Sequence, residues 1–120
     1  MAGVADLRAT FPNASVTVIE QADGRVLVTL GDVDLGAGWN MARSEISAFL
    51  EVTYPTTPPY PFYAAADLQR ADGQPVAGLT SPVTIDGSPR AQLSLRHDHV
   101  PGEGLGARFA AVTRWLRTRP

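Results

Sequence analysis

The segment from Tyr54 to Tyr63 constrains the fold of this chain more than any other stretch of its sequence. It holds four prolines in seven positions, at 55, 58, 59 and 61. Each proline restricts φ and removes a backbone donor, so the segment cannot form a helix or a central strand. It follows an apolar, strand-like run from Ile46 to Val52. The sequence therefore predicts a rigid, aromatic connection between two strands.

Alternating apolar residues predict four strands around this connection. Two β-branched runs, residues 16–19 and 26–30, flank Asp23-Gly24 and form the strongest hairpin signal in the chain. The run Ile46–Val52 predicts the third strand, and Phe62–Leu68 predicts the fourth. Because consecutive strands usually pair with each other, we expect an antiparallel meander.

Helical spacing occurs near both ends of the chain. Residues 4–11 predict a short N-terminal helix that ends before Pro12. An amphipathic helix is predicted near the C-terminus from the apolar stripe Leu105, Phe109, Val112 and Leu116. Residues 70–90 are polar and rich in glycine and proline, which predicts a long loop of the kind that carries active sites. The expected architecture is α+β: a short helix, a four-stranded meander, this loop and a closing helix, in one domain of residues 1–120.

The composition argues against several classes of function. There is no cysteine, which rules out disulfides, thiolate metal sites and a cysteine nucleophile. The net charge of −2 gives no electrostatic support for binding nucleic acid. No apolar run reaches the roughly 18 residues that span a bilayer, and the N-terminus lacks the pattern of a signal peptide. We therefore expect a cytoplasmic protein without nucleic-acid or membrane partners, and the sequence indicates no cofactor.

The order of these features resembles the ubiquitin-conjugating (UBC) fold, in particular the bacterial UBC-like proteins called prokaryotic family E. In that family a tyrosine-proline pair and a nearby proline pair join the third and fourth strands, as Tyr54-Pro55 and Pro58-Pro59 would here. A long irregular segment with the active site follows, and then a helix. The likeness covers roughly residues 15–118. It includes these further stretches: Gly38-Trp39-Asn40, Phe62-Tyr63, Ser94-x-Arg96-His97, Pro101-Gly102 and Trp115-Leu116.

The catalytic cysteine of that family, and the His-Pro-Asn stretch before it, are missing from this sequence. Counted back from Pro101, the position of the cysteine falls among Ser88, Gln92 and Ser94. Ser94 is the predicted nucleophile and His97 its base, because an unassisted serine is very weakly nucleophilic at neutral pH. Residues three apart on a strand face opposite sides, so this pair requires a bend between them. The alternative is a structural Ser94 that bonds to nearby backbone.

Five residues are predicted to bind a protein partner: Tyr54, Pro58, Pro59, Tyr60 and Arg96. The first four would form an exposed apolar ledge, or alternatively cover the open edge of the sheet and the base of the last helix. Arg96 carries forked donors that suit carboxylate and carbonyl oxygens, such as those of a protein C-terminal tail. Its alternative role is a surface ion pair of little energetic weight.

The resemblance implies a bacterial ubiquitin-like conjugation pathway, with a ThiF-like activating enzyme and a ubiquitin-like protein as partners, in the setting of phage defence. The chain would receive an activated C-terminal glycine as a serine oxyester and pass it to a target amine. All ten basic residues are arginine, which suits a protein that must not label itself and is explained equally by genome composition. The alternative is a non-catalytic, ubiquitin-variant-like module that binds either partner.

A third hypothesis comes from a different class, a small α+β hydrolase or metal protein. His97 and His99 would share one face of a strand, an arrangement that zinc can use. A third ligand would come from Asp67, Asp72 or Asp86. No spacing identifies that ligand, so the sequence assigns no metal site.

Overall fold

The structure, a computed structural model, describes residues 2–54, 59–85, 87–94 and 104–118. Within these ranges the elements are α1 (Ala2–Thr10), β1 (Val16–Glu20), β2 (Val26–Asp34), β3 (Arg43–Leu50), β4 (Phe62–Ala65), β5 (Leu79–Ile85), β6 (Ser88–Leu93) and α2 (Leu105–Thr118). The strands form one antiparallel sheet in the order β1-β2-β3-β4-β6-β5. The α+β class predicted from the sequence is therefore confirmed.

The first four strands form the predicted meander. β1 and β2 meet at the turn around Asp23-Gly24, where Gly24 has a φ of 91°, a conformation that glycine adopts without strain. β2 pairs with β3, and β3 pairs with β4. The fourth strand is shorter than predicted because the chain turns after Ala65, where the N–H of Leu68 donates to the Ala65 carbonyl.

The prediction of a loop over residues 70–90 is wrong for its second half. β5 and β6 form a hairpin there, and β6 extends the sheet by pairing with β4. The sequence of β5 is too polar to predict a strand. This outermost strand exposes alternate residues and therefore needs few apolar side chains. The Asp86-Gly87 pair between the two strands is the local signal that could have revealed the hairpin.

Both helices pack against the same face of the sheet. The predicted stripe on α2 is confirmed, since all four of its residues are buried: Leu105, Phe109, Val112 and Leu116. They join one core with alternate residues of the strands. At its centre the rings of Phe109 and Phe62 meet edge to face, with centroids 5.0 Å apart.

The two helices contact each other where α2 begins. The carboxylate of Asp6 on α1 accepts a 2.7 Å hydrogen bond from the N–H of Gly106. This bond satisfies a first-turn donor of α2, which has no partner inside its own helix. A methyl group at Gly106 would collide with the side chain of Thr10. Glycine is therefore required here by the close approach of α1.

The end of the sheet at which β2 leads into β3 is closed by hydrogen bonds to distant segments. The buried indole of Trp39 donates to the carbonyl of Leu116 at 2.8 Å. The Asn40 side chain donates to the Asp67 carbonyl at 2.7 Å and accepts from the Gln69 N–H at 3.1 Å. These bonds join the end of α2, and the chain after β4, to the β2–β3 connection. We term this set of five residues the Trp39 end.

Candidate functional site

Ser94 lies at the end of β6, at the opposite end of the sheet from Trp39. Its N–H donates to the Gly78 carbonyl at 2.7 Å. Leu93, just before it, pairs with Phe62 of β4. Continuing this antiparallel register by one residue sets Ser94 opposite Pro61, so the predicted nucleophile adjoins the proline-rich segment. We term the following residues the Ser94 end: Tyr54, Pro59, Tyr60, Ser94 and Arg108.

The hydroxyl of Ser94 is half-buried and accepts a 3.2 Å hydrogen bond from the side-chain amide of Gln92. Residues two apart on a strand share a face, so both side chains lie on the sheet face away from the helices. An amide can orient a hydroxyl, but it cannot take its proton. His97 and Arg96 lie outside the described residues. The pairing of Ser94 with His97 therefore stays a prediction. So does a structural Ser94 hydroxyl bonded to backbone, because the hydroxyl bond found among the described residues comes from the Gln92 side chain.

The proline-rich segment offers less surface than the predicted ledge. Pro59 is fully buried, and Tyr54 is half-buried against the core. Tyr60 exposes 52% of its surface. Pro58 lies outside the described residues. Pro59 therefore supports the segment from inside instead of presenting a contact surface, and among the described ledge residues Tyr60 is the most exposed.

Tyr54 is held against the N-terminal helix. Its ring approaches α1 so closely that a methyl group at Gly3 would come within 3.0 Å of the ring atom Cε1. Burial raises the pKa of Tyr54 above its usual value, and the nearby Asp6 carboxylate raises it further. The phenol therefore stays protonated at neutral pH, and Tyr54 cannot act as a base at this end of the sheet.

Arg108 on α2 is the residue of this site that sequence reasoning missed. It is only 5% exposed, and its Nη2 donates to the carbonyl of Pro59 at 3.2 Å. The signal was available, because Arg108 falls on the same helix face as Leu105 and Val112. A charged residue within a buried stripe usually has a specific partner. Here that partner is the proline-rich segment, which Arg108 fixes to α2.

Two surface cavities lined by described residues lie away from Ser94. One, of about 640 Å³, lies between the α1–β1 connection and the bulge of β2, where Asp32 has a positive φ of 59° and pairs with Arg43 at 3.4 Å. The other, of about 390 Å³, lies beneath residues 66–79. Neither is lined by Ser94 or Tyr60. These two cavities therefore lie outside the Ser94 end.

The metal hypothesis finds no support in the described part of the chain. His97, His99 and Asp86 lie outside it. The carboxylate of Asp72 accepts two hydrogen bonds from Arg70, at 2.9 and 2.8 Å, and these lower the pKa of Asp72. Among the described residues, no group of three or more histidines, cysteines or carboxylates could hold a metal ion. The zinc hypothesis therefore depends on residues outside the described ranges.

Comparison of the chain with models of protein families, with curated proteins and with solved structures found no match in any of the three. The helices within the described ranges include none that is long and apolar enough to cross a membrane.

Proposed function

We propose that the chain is a UBC-like protein of a bacterial ubiquitin-like conjugation pathway, and that the Ser94 end is its working surface. One observation carries the proposal: Ser94 adjoins the tyrosine- and proline-rich segment between β3 and β4, directly before the stretch that leads to α2. The order of a first helix, a four-stranded meander and a closing helix supports it. The partners are a ThiF-like activating enzyme and a ubiquitin-like protein.

In the catalytic form of this proposal, Ser94 accepts an acyl group. Its Oγ attacks the carbonyl carbon of the ubiquitin-like protein's C-terminal glycine, which the activating enzyme presents as a thioester or an adenylate. His97 takes the hydroxyl proton, a C–O bond forms, and the thiolate or AMP leaves with the electron pair. A target amine then attacks the ester carbonyl. An amide forms, and the departing Ser94 oxygen regains a proton.

The described residues have distinct tasks in this reaction. The Gln92 amide occupies one acceptor position of the Ser94 hydroxyl, so the O–H is free to point toward a base. Tyr60 supplies an exposed aromatic ring for docking a protein. Arg108 holds the carbonyl of Pro59, next to Tyr60, so that little entropy is lost when a partner binds.

The catalytic form is tested by incubating the chain with the activating enzyme, the ubiquitin-like protein and ATP. We expect a covalent adduct that hydroxylamine cleaves, as it does an ester. Ser94→Ala should abolish the adduct. Ser88→Ala is the matched control, because Ser88 is a half-buried serine at the other end of β6, and this variant should keep the adduct. An adduct that survives Ser94→Ala would exclude Ser94 as the nucleophile.

A second function, a non-catalytic binding module, is favoured by one pair of observations. Tyr60 is 52% exposed, and the hydroxyl of Ser94 accepts a hydrogen bond from the Gln92 amide. This function predicts one-to-one binding of the activating enzyme or the ubiquitin-like protein without a covalent product.

Calorimetry with each partner tests this second function. Tyr60→Ala should weaken binding by about tenfold or more, since exposed tyrosines often dominate interface energies. Tyr60→Phe should retain most of the affinity because the ring remains. Thr84→Ala, a change at an exposed residue of β5 toward its other end, is the control and should bind like wild type. Unchanged affinity of Tyr60→Ala would remove Tyr60 from the interface.

A further inference from the structure

The two strands that border the sheet differ in how well they are protected. β5 contains Pro82 and a shift in register between Thr80 and Val83, and both features hinder pairing with a further strand. β1 pairs with β2 in unbroken register from Val16 to Glu20 and contains no proline. Among the residues that the structure describes, no strand lies beyond β1. β1 is therefore a regular edge of the kind that accepts another strand.

The hydrogen bonds at both ends of β1 show which of its backbone groups face β2. The Gly31 N–H donates to the Ser15 carbonyl at 2.9 Å, and the Gln21 N–H donates to the Arg25 carbonyl at 2.9 Å. In an antiparallel pair, bonded and non-bonded residues alternate along each strand. The odd-numbered residues of β1 therefore bond to β2.

The even-numbered residues of β1 turn their N–H and C=O groups away from β2. These residues are Val16, Val18 and Glu20. Unpaired groups of this kind, evenly spaced along a straight strand, match the hydrogen-bonding groups of another extended backbone. The chemistry of the edge thus selects a β-strand as its partner.

The side chains of β1 support the same partner. Val18 is 40% exposed and Ile19 is 44% exposed, although both are large and apolar. They lie on opposite faces of the sheet, next to the buried residues Val28 and Leu27 of β2. A helix or a small ligand could cover only one face. A single added strand covers both, and it also satisfies the outward backbone groups.

We propose that the partner strand is β1 of a second copy of this chain, in a two-fold antiparallel pair centred on Val18. In this register Val18 meets Val18 of the second copy, and Val16 meets its Glu20. Every outward N–H and C=O of β1 then has a partner. Thr17 meets Ile19 of the second copy, a pairing of two β-branched residues that suits cross-strand contact. Glu20, the one charged residue of β1, faces valine, so no like charges oppose each other.

A pair of five-residue strands forms a small interface. It falls below the roughly 1,000 Å² that stable dimers bury, so we expect a weak, concentration-dependent dimer. Sedimentation velocity from about 10 μM to about 1 mM covers the affinities typical of such an interface. The wild-type chain should shift from monomer to a particle of twice its mass within this range.

Val18→Pro removes the outward N–H at the centre of the proposed interface. Because the N–H of Val18 does not face β2, the β1–β2 pairing should survive, and proline is tolerated at edge positions. This variant should stay monomeric at every concentration and keep the wild-type circular dichroism spectrum. Val52→Ala removes another exposed apolar side chain, one outside β1 that lies against the β1–β2 turn at Gly24, so it should dimerise like wild type.

A cysteine crosslink tests the register and does not depend on the proline variant folding. The chain has no cysteine, so Val18→Cys introduces a single thiol. Directly opposed residues of a bonded pair have Cα atoms about 5.5 Å apart, within reach of a disulfide. Val18→Cys should therefore oxidise to a disulfide dimer, whereas Val52→Cys at equal concentration should not. A monomeric wild-type chain at all concentrations, or equal crosslinking of the two cysteine variants, would overturn the proposal.

Discussion

The two ends of the sheet use their polar groups differently. At the Trp39 end, an indole and a side-chain amide tie together α2, the β2–β3 connection and the chain after β4. At the Ser94 end, one buried guanidinium holds the proline-rich segment, while a tyrosine ring is exposed and a serine hydroxyl is half-buried. The first end is built to hold segments together. The second fixes the proline-rich segment and leaves the Tyr60 ring exposed.

Under the proposed function, this difference separates stability from function within one sheet. Changes at the Trp39 end should mainly lower the free energy of unfolding. Substitutions at the Ser94 end should mainly affect partner binding or formation of the covalent adduct with the ubiquitin-like protein. Arg108 and Asp6 are exceptions, because they hold that end together. The following substitutions test this division, from the largest expected effect to the smallest.

Trp39→Ala should have the largest effect on stability. It removes a large buried side chain and leaves the Leu116 carbonyl without its donor, which should lower the free energy of unfolding by about 3–5 kcal/mol. Urea denaturation measures this loss. Trp39→Phe keeps most of the volume and should cost less. A loss below about 1 kcal/mol for Trp39→Ala would contradict a stabilising role for this end.

Arg108→Ala should have an intermediate effect on stability. It should also make the proline-rich segment around Tyr60 more mobile. The carbonyl of Pro59 loses this donor inside the protein, at a cost of about 1–3 kcal/mol. The amide of Tyr60 should also become more mobile by NMR relaxation, because its segment is no longer fixed to α2. Arg108→Met keeps much of the packing but has no donors, so it separates the contribution of packing from that of the hydrogen bond to Pro59. Unchanged Tyr60 mobility in Arg108→Ala would show that the arginine does not position the segment.

Asp6→Ala should have a smaller effect, because it removes one capping interaction. The N–H of Gly106 loses its acceptor, which should lower the free energy of unfolding by about 1 kcal/mol. Asp6→Asn keeps an oxygen acceptor and should retain most of the stability. Thermal unfolding of both variants measures the difference, and equal losses would indicate that charge matters more than the hydrogen bond.

Arg70→Ala changes a residue beside the Trp39 end and should have the smallest effect on stability. In the wild type, hydrogen bonds from Arg70 hold the pKa of Asp72 below its usual value. A lowered pKa in the folded state contributes stability above the unfolded-state pKa, and this is lost as the pH falls through the folded-state value. The pKa of Asp72, followed by NMR titration, should rise in Arg70→Ala. Asp23, whose pKa is lowered by Arg25, should titrate unchanged in the same sample.

Local sequence patterns were enough to predict much of the fold. The hairpin at Asp23-Gly24, the third strand and the buried stripe of α2 follow from turn chemistry and from periodicities of two and about 3.6 residues. Each of these signals lies within a few consecutive residues. The β5–β6 hairpin has a weaker signal because an outer strand needs only a weak apolar pattern, and Asp86-Gly87 is its one local turn signal.

The candidate site was predictable only in its residue types. The sequence pointed to Ser94 and to the proline-rich segment, but not to the pairing of β4 with β6 that sets them side by side. It left open whether Pro59 lies on an exposed ledge or covers the sheet edge and the base of the last helix, and the structure buries it. The sequence places Arg108 on the buried face of α2, but its contact with Pro59 follows only from the tertiary structure.

The sequence by itself determined both helices and the first four strands, because those preferences arise from neighbouring residues along the chain. Only the tertiary structure decided which strands pair out of order, which proline is buried and which end of the sheet stays accessible. These outcomes depend on contacts between residues far apart in sequence, where packing and backbone hydrogen bonding across the whole chain select one arrangement.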